Sequence, residues 1–231
     1  MTHRAELLEK VPFLAALEPR DREALAGAVA SRPYRRGETI FHKEEPGQSL
    51  FVIESGTVRI YLPTPQGNDL TLAVLGAGDF FGDMSLLDGL PRSASAAAAS
   101  DASLLVLERR DFMALLSSRP SAALAILTVV ARRLRETDEM ASDLAFLDVG
   151  GRLAKKLLEL AASHGAPSGR GLLLNLPLTQ EELANMIGVT RESVNRQLAE
   201  FRRAGLLRME GRRFVILDDE GLRDRSDVSA L

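Results

Sequence analysis

With 231 residues, 45% of them hydrophobic and 26% charged, the chain has the size and make-up of a globular protein with two modest cores. It has no cysteine, which excludes disulfides, thiolate-held iron–sulfur clusters and thiolate zinc sites, and its three histidines, His3, His42 and His164, stand in no metal-ligand spacing. The net charge of −3 is uneven: residues 188–213 hold seven arginines against Glu192, Glu200 and Glu210, so that stretch is +4 on a body of −7, a basic patch suited to a polyanion.

The first residues, MTHRAELLEKVPFLAAL, carry Glu6, Glu9 and Lys10 among their hydrophobics and do not read as a secretory signal. No apolar run approaches the roughly 20 residues that span a bilayer, so a cytoplasmic location without a membrane partner is expected. Residues 5–30 read as helical: Leu7, Leu8, Val11, Leu14, Leu17, Leu25 and Val29 recur at helical spacing, broken at Pro12 and Pro19. From Tyr34 to about Leu107 the pattern becomes short β-rich runs at 39–41, 50–53, 58–62, 70–74 and 104–107. Turns at Gly37, Pro46-Gly47, Ser55-Gly56 and Gly67-Asn68 separate them, and the small residues 94–100 suit a tightly packed strand. Short, evenly spaced strands with glycine punctuation predict a sandwich or barrel.

One stretch of this region, residues 76–95, is unusual in composition. Gly82 permits a close backbone approach, and residues 83–87 suit one helical turn whose first amides, at Asp83, Met84 and Ser85, could face an anion. Arg92 could add a bidentate contact and Ser93 a hydroxyl, with the Asp83 carboxylate able to grip a hydroxyl group. Together these suggest a nucleotide. Composition leaves open that Arg92 merely pairs with Asp83 or Asp88.

After residues 109–111 the chain turns helical. A long helix from Pro120 to about Leu147 carries the seam Leu127, Val130, Leu134, Thr137, Ala141 and Leu144, in alternating steps of three and four. That is the spacing of a coiled-coil seam and points to a homodimer. Thr137, with Asp138 beside it, interrupts the seam with polarity, either to fix register or to meet a ligand. Residues 148–151 (Asp-Val-Gly-Gly) read as a hinge, 152–162 as an amphipathic helix, 164–171 as a polar loop, and the tail after Asp218 as frayed. The boundaries drawn are 1–119, 120–147 and 148–231.

In the last segment Thr179 and Glu182 fit a capping box, opening a helix that stops at Gly188. Thr190 caps a second helix whose Val194, Leu198 and Phe201 share one face, leaving Arg191, Glu192, Ser193, Asn195 and Arg196 near its exposed start. Two short helices about a glycine turn form a helix-turn-helix, whose second helix enters the major groove. Arginine can read guanine O6 and N7, and glutamate can accept from cytosine N4. Glu192 and Arg196, four apart, could instead be a surface ion pair. The two apolar runs around Glu210-Gly211, with Arg212 at the turn, read as a hairpin. Helix-turn-helix plus hairpin is a winged helix, and double-stranded DNA is the expected partner.

The chain resembles the cyclic-AMP receptor protein and fumarate–nitrate regulator superfamily over nearly its whole length, most closely the cyclic-AMP-receptor branch. Gly82-Asp83 with Pro91-Arg92-Ser93-Ala94 resembles its phosphate-binding cassette. Residues 131–137 with 144–149 resemble its dimer helix and hinge, and residues 178–184 with 190–194 its reading helices. The resemblance implies an α+β protein: an amino-terminal β jelly-roll that binds cyclic nucleotide, a long dimerisation helix, and a carboxy-terminal winged helix-turn-helix. It implies that Arg92 and Ser93 hold the cyclic phosphate of cyclic AMP, within a cassette that includes Gly82, Met84 and Ser85. Asp83 stands on the ribose 2′-hydroxyl where the family usually has glutamate. Thr137 and Asp138 stand where two small polar residues, one from each subunit, meet the adenine, and aspartate is a departure there. Arg191, Glu192 and Arg196 match residues that read a TGTGA-type half-site in an inverted repeat, and RNA polymerase is an implied partner.

The rival within the family is a regulator that binds DNA with no effector. From another class, a cyclic-nucleotide-binding adaptor or enzyme regulatory subunit would need a further domain, and no segment is left for one. No nucleophile–base pair, metal cluster or nucleotide-hydrolysing loop is present in the sequence, so no catalytic activity and no metal are expected.

Overall fold

Two prolines set the beginning of the chain: Pro12 and Pro19 each interrupt one helix and occupy the first position of the next, where a missing N–H costs nothing. The result is α1 (His3–Lys10), α2 (Pro12–Ala15) and α3 (Pro19–Ala28). The computed structural model describes residues 3–15, 17–64, 69–169, 171–174, 176, 178–211 and 213–227.

The strands follow: β1 (Ala30–Tyr34), β2 (Thr39–Phe41), β3 (Ser49–Ser55), β4 (Val58–Leu62), β5 (Leu70–Leu75), β6 (Phe80–Phe81), the single-turn α4 (Met84–Asp88), β7 (Ser95–Ala98) and β8 (Ala102–Glu108). They form two four-stranded sheets, ordered β1-β8-β3-β6 and β2-β7-β4-β5. Phe51, Ile53, Phe81, Leu104 and Val106 of one sheet meet Val58, Ala96 and Ala98 of the other in a common core, which makes a sandwich. Every residue of β7, Ser95-Ala-Ala-Ala98, is buried, and side chains this small let the sheets approach closely there. β1 and β6 were not expected from the sequence. β1 contains Pro33 and Arg32, but it is an edge strand, where a proline withholds no inner ladder bond.

Next come α5 (Arg109–Ser118) and α6 (Pro120–Phe146). The start of α6 buries Ala122, Ile126 and Val129 in a second core with Leu8, Phe13, Leu14, Leu105 and Phe112. The carboxy-terminal elements are α7 (Val149–His164), β9 (Gly165–Ser168), β10 (Gly171–Leu174), α8 (Gln180–Ile187), α9 (Arg191–Arg203), β11 (Leu207–Glu210), β12 (Arg213–Ile216) and α10 (Asp219–Ser226). Their sheet runs β11-β12-β10-β9, and Leu153, Leu157, Leu183, Leu198, Phe201 and Phe214 fill their core. The chain forms two compact units, Met1–Pro63 with Thr71–Glu136, and Thr137–Leu231 with Thr64–Leu70. Thus α6 belongs to the first unit up to Glu136 and to the second from Thr137.

Three expectations change. The polar loop at 164–171 is largely strand: β9, Gly-Ala-Pro-Ser, pairs with β10 on the outer side of the sheet, so its pairing is imposed by tertiary contact. The frayed tail is α10, capped by Asp218 Oδ1 on the Gly221 amide at 2.9 Å and fixed by the buried Leu222. The hinge is shorter than four residues. Gly150 and Gly151 are buried in the first turn of α7, capped by Asp148 Oδ1 on the Gly151 amide at 2.7 Å, so the helix break is confined to Leu147 and Asp148.

Candidate functional site

The expected cassette residues come together around Arg92. Its backbone is fixed first: the Glu44 amide donates to the Arg92 carbonyl at 2.8 Å, and the Arg92 amide donates to the Glu45 carbonyl at 2.9 Å. Glu44 adopts a left-handed φ of 72° to make that turn. The side chain then runs inward, to 5% exposure. Nη1 donates to the Gly82 carbonyl and Nη2 to the Ser49 carbonyl, both at 2.7 Å, and Cζ lies 4.2 Å from the centre of the Phe41 ring. Among the described residues no carboxylate is within ion-pair distance, so the alternative of an Arg92 pair with Asp83 or Asp88 is not realised. Burial pulls the guanidinium below its ordinary value, against the opposing fields of Glu45 and Asp83.

Glycine is required at two places in this cradle. A Cβ on Gly47 would fall 2.5 Å from Ser85 Cβ and 2.9 Å from Arg92 Cζ. Gly82 has φ +83°, and a Cβ there would fall 2.7 Å from Arg92 Nη1.

Asp83 follows Gly82 directly and is 1% exposed. It heads α4 without capping it; its Oδ1 instead accepts from Arg133 Nη1 of α6 at 2.9 Å. Its Oδ2 is buried and has no hydrogen-bond partner among the described residues. Ser85 is buried, Met84 is exposed, and the exposed Ser93 hydroxyl donates to Met84 Sδ at 3.5 Å. Thr137 and Asp138 are exposed on α6 within the second unit.

Arg133 was missed in the sequence. It also donates to the Phe80 carbonyl and sits over the Phe80 ring at 4.9 Å. A signal was available: Ile126, Val129 and Arg133 follow in steps of three and four, so an arginine continues the buried stripe of α6, where a charge needs a partner. Gly47 and the Ser49 carbonyl were also missed, and carbonyl contacts leave no trace in sequence.

In the second unit the capping box is present, with the Thr179 amide donating to Glu182 Oε2 at 2.7 Å and the Glu182 amide to Thr179 Oγ1 at 3.1 Å. Gly188 takes φ +68° at the turn. Thr190 Oγ1 accepts from the Ser193 amide at 3.3 Å and starts α9, whose Val194, Leu198 and Phe201 are buried. Arg191, Glu192, Asn195 and Arg196 are exposed, with Ser193 half-buried. Among the described residues Glu192 and Arg196 make no ion pair, so both heads are available to another molecule. β11 and β12 form the expected hairpin about Gly211, at φ +62°. Arg212 lies outside the described residues. Among the described residues no group of three or more histidines and carboxylates could hold a metal ion, and no single helix is long and apolar enough to cross a membrane.

Residues 31–119 match the family model of the cyclic nucleotide-binding domain, and residues 151–225 match that of the Crp-like helix-turn-helix domain. The chain is 37% identical over 221 residues to a CRP-like cAMP-activated global transcriptional regulator of Mycobacterium tuberculosis, covering 96% of this chain and 99% of that one. It is 37% identical to the cyclic AMP receptor protein of Thermus thermophilus over 86% of this chain and 88% of that one. Among solved structures, the c-di-GMP-responsive global regulator CLP of Xanthomonas campestris superposes with a TM-score of 0.77 at 26% identity, covering 86% of this chain and 99% of that one. These domains and relatives are those of regulators, not of enzymes. With a nucleotide-binding sandwich in one unit and a reading helix in the other, the chain belongs to the CRP/FNR family of DNA-binding transcription regulators.

Proposed function

We propose that this regulator works as a homodimer whose hold on DNA is set by cyclic AMP. The observation that carries the ligand half is Arg92, a guanidinium almost fully buried on neutral carbonyls, with no carboxylate among the described residues within ion-pair distance. A buried cation without a counter-ion is costly, and a cyclic phosphate supplies the missing charge. The unpartnered Asp83 Oδ2 beside it is an acceptor for a ribose 2′-hydroxyl. Gly82, Met84, Ser85 and Ser93 complete the cassette, and Thr137 and Asp138 supply polar groups to the base. The Asp138 carboxylate accepts from the adenine 6-amino group and is repelled by the guanine 6-oxo group. A c-di-GMP-responsive relative exists, but the relatives with higher identity are named for cAMP.

On the DNA, Arg191, Glu192 and Arg196 read the base edges of a TGTGA-type half-site. Thr179, Thr190, Ser193 and Asn195, together with Arg212 of the hairpin turn expected from the sequence, are assigned the phosphate and neighbouring base contacts. Nucleotide binding shifts the dimer toward the state in which the two α9 helices are spaced by one turn of DNA, about 34 Å, with the pivot at Leu147-Asp148. RNA polymerase is the downstream partner, and the cytoplasm the site of action.

The test is a band shift on an inverted TGTGA repeat with nucleotide-free protein, with and without cyclic AMP, beside a calorimetric titration. Tighter binding with cyclic AMP, lost in Arg92→Leu while dimerisation persists, is expected. Equal DNA affinity in both conditions, with no heat of nucleotide binding, would leave a regulator that needs no effector.

A further inference from the structure

Met84 brings to the cassette a side chain that has no task in holding a nucleotide. The chain has six methionines and no cysteine, so the sulfur it can offer an oxidant is thioether sulfur. Met1 lies outside the described residues. Met113, Met140, Met186 and Met209 are half-buried, whereas Met84 is 51% exposed. It begins α4 directly after Asp83, and Leu87 and Leu90, which follow it, are exposed too. The Met84 side chain is therefore open to small molecules in solvent.

Its sulfur is set against the serine to which the phosphate is assigned. The Ser93 hydroxyl donates to Met84 Sδ at 3.5 Å. A thioether is a weak acceptor, so the hydroxyl turns from it to a phosphate oxygen at little cost. Ser93 follows Arg92, whose backbone is tied to Glu44 and Glu45 and whose guanidinium is tied to the Gly82 and Ser49 carbonyls. The backbone leading into Ser93 is thus anchored, and a change in the chemistry of the sulfur falls on the hydroxyl.

We propose that Met84 is a modification site: its oxidation by a peroxide lowers the affinity for cyclic nucleotide by capturing the Ser93 hydroxyl. The thioether sulfur attacks one oxygen of hydrogen peroxide, so that an S–O bond forms and the O–O bond breaks. The released hydroxide takes the proton of the sulfur-bound oxygen and leaves as water. Sulfur gives up two electrons and the peroxide accepts them. The sulfoxide oxygen is a stronger acceptor than the thioether, and a hydroxyl bonded to it is withheld from the phosphate. A methionine sulfoxide reductase returns the thioether and frees the hydroxyl. Under peroxide the regulator then needs more nucleotide for the same hold on DNA. This rests on the cyclic-nucleotide reading of the cassette given above.

The full chain and its Met84→Leu and Ser93→Ala variants would each be titrated calorimetrically with cyclic AMP before and after graded hydrogen peroxide, each protein serving as its own reference. Both side chains are exposed, so neither substitution threatens the fold. Mass spectrometry of tryptic peptides should show Met84 gaining its oxygen before Met113, Met140, Met186 and Met209 do. The unsubstituted chain should then lose about tenfold in affinity, the scale of one hydrogen bond, and regain it after treatment with the reductase. Each variant, whatever affinity it starts from, should change by no more than about twofold on the same treatment. Unchanged affinity with Met84 fully oxidised would overturn the proposal, as would a Met84 that reacts after the half-buried methionines. An equal loss in Met84→Leu would put the effect on another methionine, and an equal loss in Ser93→Ala would show that the sulfoxide takes something other than that hydroxyl; either result overturns it too. Failure of the unsubstituted chain to bind cyclic AMP before any peroxide is added would instead defeat the underlying reading.

Discussion

A carboxylate joins the amino-terminal helix to the sandwich. Glu54 on β3 accepts from Arg4 Nε at 2.8 Å, and from the hydroxyls of Ser31 and Ser103 at 2.8 and 2.7 Å. Burial pushes its pKa up, but hydrogen bonds from Ser103, Arg4 and Ser31 and the charge of Arg4 outweigh that, and the group titrates below its usual 4.5. A carboxylate whose folded pKa is depressed stabilises the fold above its unfolded pKa, and that contribution is lost as pH falls through the folded value. Glu54→Gln should therefore be less stable than the unsubstituted chain at pH 7 by about 1–2 kcal/mol. The gap should close as urea denaturation is repeated at pH values falling from 4.5 through the folded pKa. A gap independent of pH would mean that Glu54 contributes by shape and neutral hydrogen bonding, not by charge. Arg92 is the counterpart in the same unit: a buried charge left with neutral carbonyls where Glu54 is given donors, which is why one reads as structure and the other as a site.

Among the elements, α7 begins with a pair of glycines. Glycine pairs in a linker are usually read as flexible, and residues 148–151 invite that reading. Here a Cβ on Gly150 would fall 3.0 Å from Gln197 Nε2 of α9, and one on Gly151 would fall 2.9 Å from the Arg225 carbonyl of α10. The two glycines are small so that the recognition helix and the last helix can press onto the first turn of α7. The sign of one substitution separates the alternatives. Gly→Ala in a helix gains up to about 1 kcal/mol if the position is merely permissive. Gly151→Ala should instead lower stability by about 1–2 kcal/mol, because backbone must move to admit the methyl group. Thermal denaturation reads this, and a higher melting temperature would restore the flexible hinge. Lys155, further along α7, ties it to Asp143 at 2.7 Å and Glu139 at 3.3 Å on α6. Burial would lower its pKa, but the two carboxylates raise it overall.

The same element shows what sequence can and cannot convey. The strands at 39–41 and 58–62 and the capped helices after Thr179 and Thr190 were legible because each carries its own pattern of alternation or its own cap. β9 and α10 were not, since Gly-Ala-Pro-Ser has no strand propensity and Asp219–Ser226 has a single buried anchor, Leu222; both exist through what they pack on. The cassette residues were legible as a group, but Arg133 and the carbonyl partners of Arg92 needed the fold to bring them there.

For the whole molecule, α6 carries two apolar faces and its own chain covers one. Ala122, Ile126 and Val129 are buried, whereas Leu127, Leu134 and Leu144 stay exposed in a line at coiled-coil spacing. A line of large apolar side chains open to water is costly unless another surface covers it, and in the proposed homodimer a second copy would cover it with identical side chains about a two-fold axis. Leu134→Asp tests that directly. Because Leu134 touches little of its own chain, the substitution should leave the unfolding free energy of the isolated subunit within about 0.5 kcal/mol. It should place two carboxylates face to face in the seam and shift sedimentation from dimer to monomer. The consequence for DNA follows from geometry: two reading helices on one body bind an inverted repeat with an avidity of about 10²–10⁴ over a single one. Leu134→Asp should therefore lose about two orders of magnitude or more on the full repeat in a band shift, and almost nothing on an isolated half-site. Equal losses on both sequences would mean that the substitution damages the winged helix itself. No loss on either, with a dimer still sedimenting, would mean that the copies meet on a face other than this seam, and that the nucleotide acts without the partner's helix.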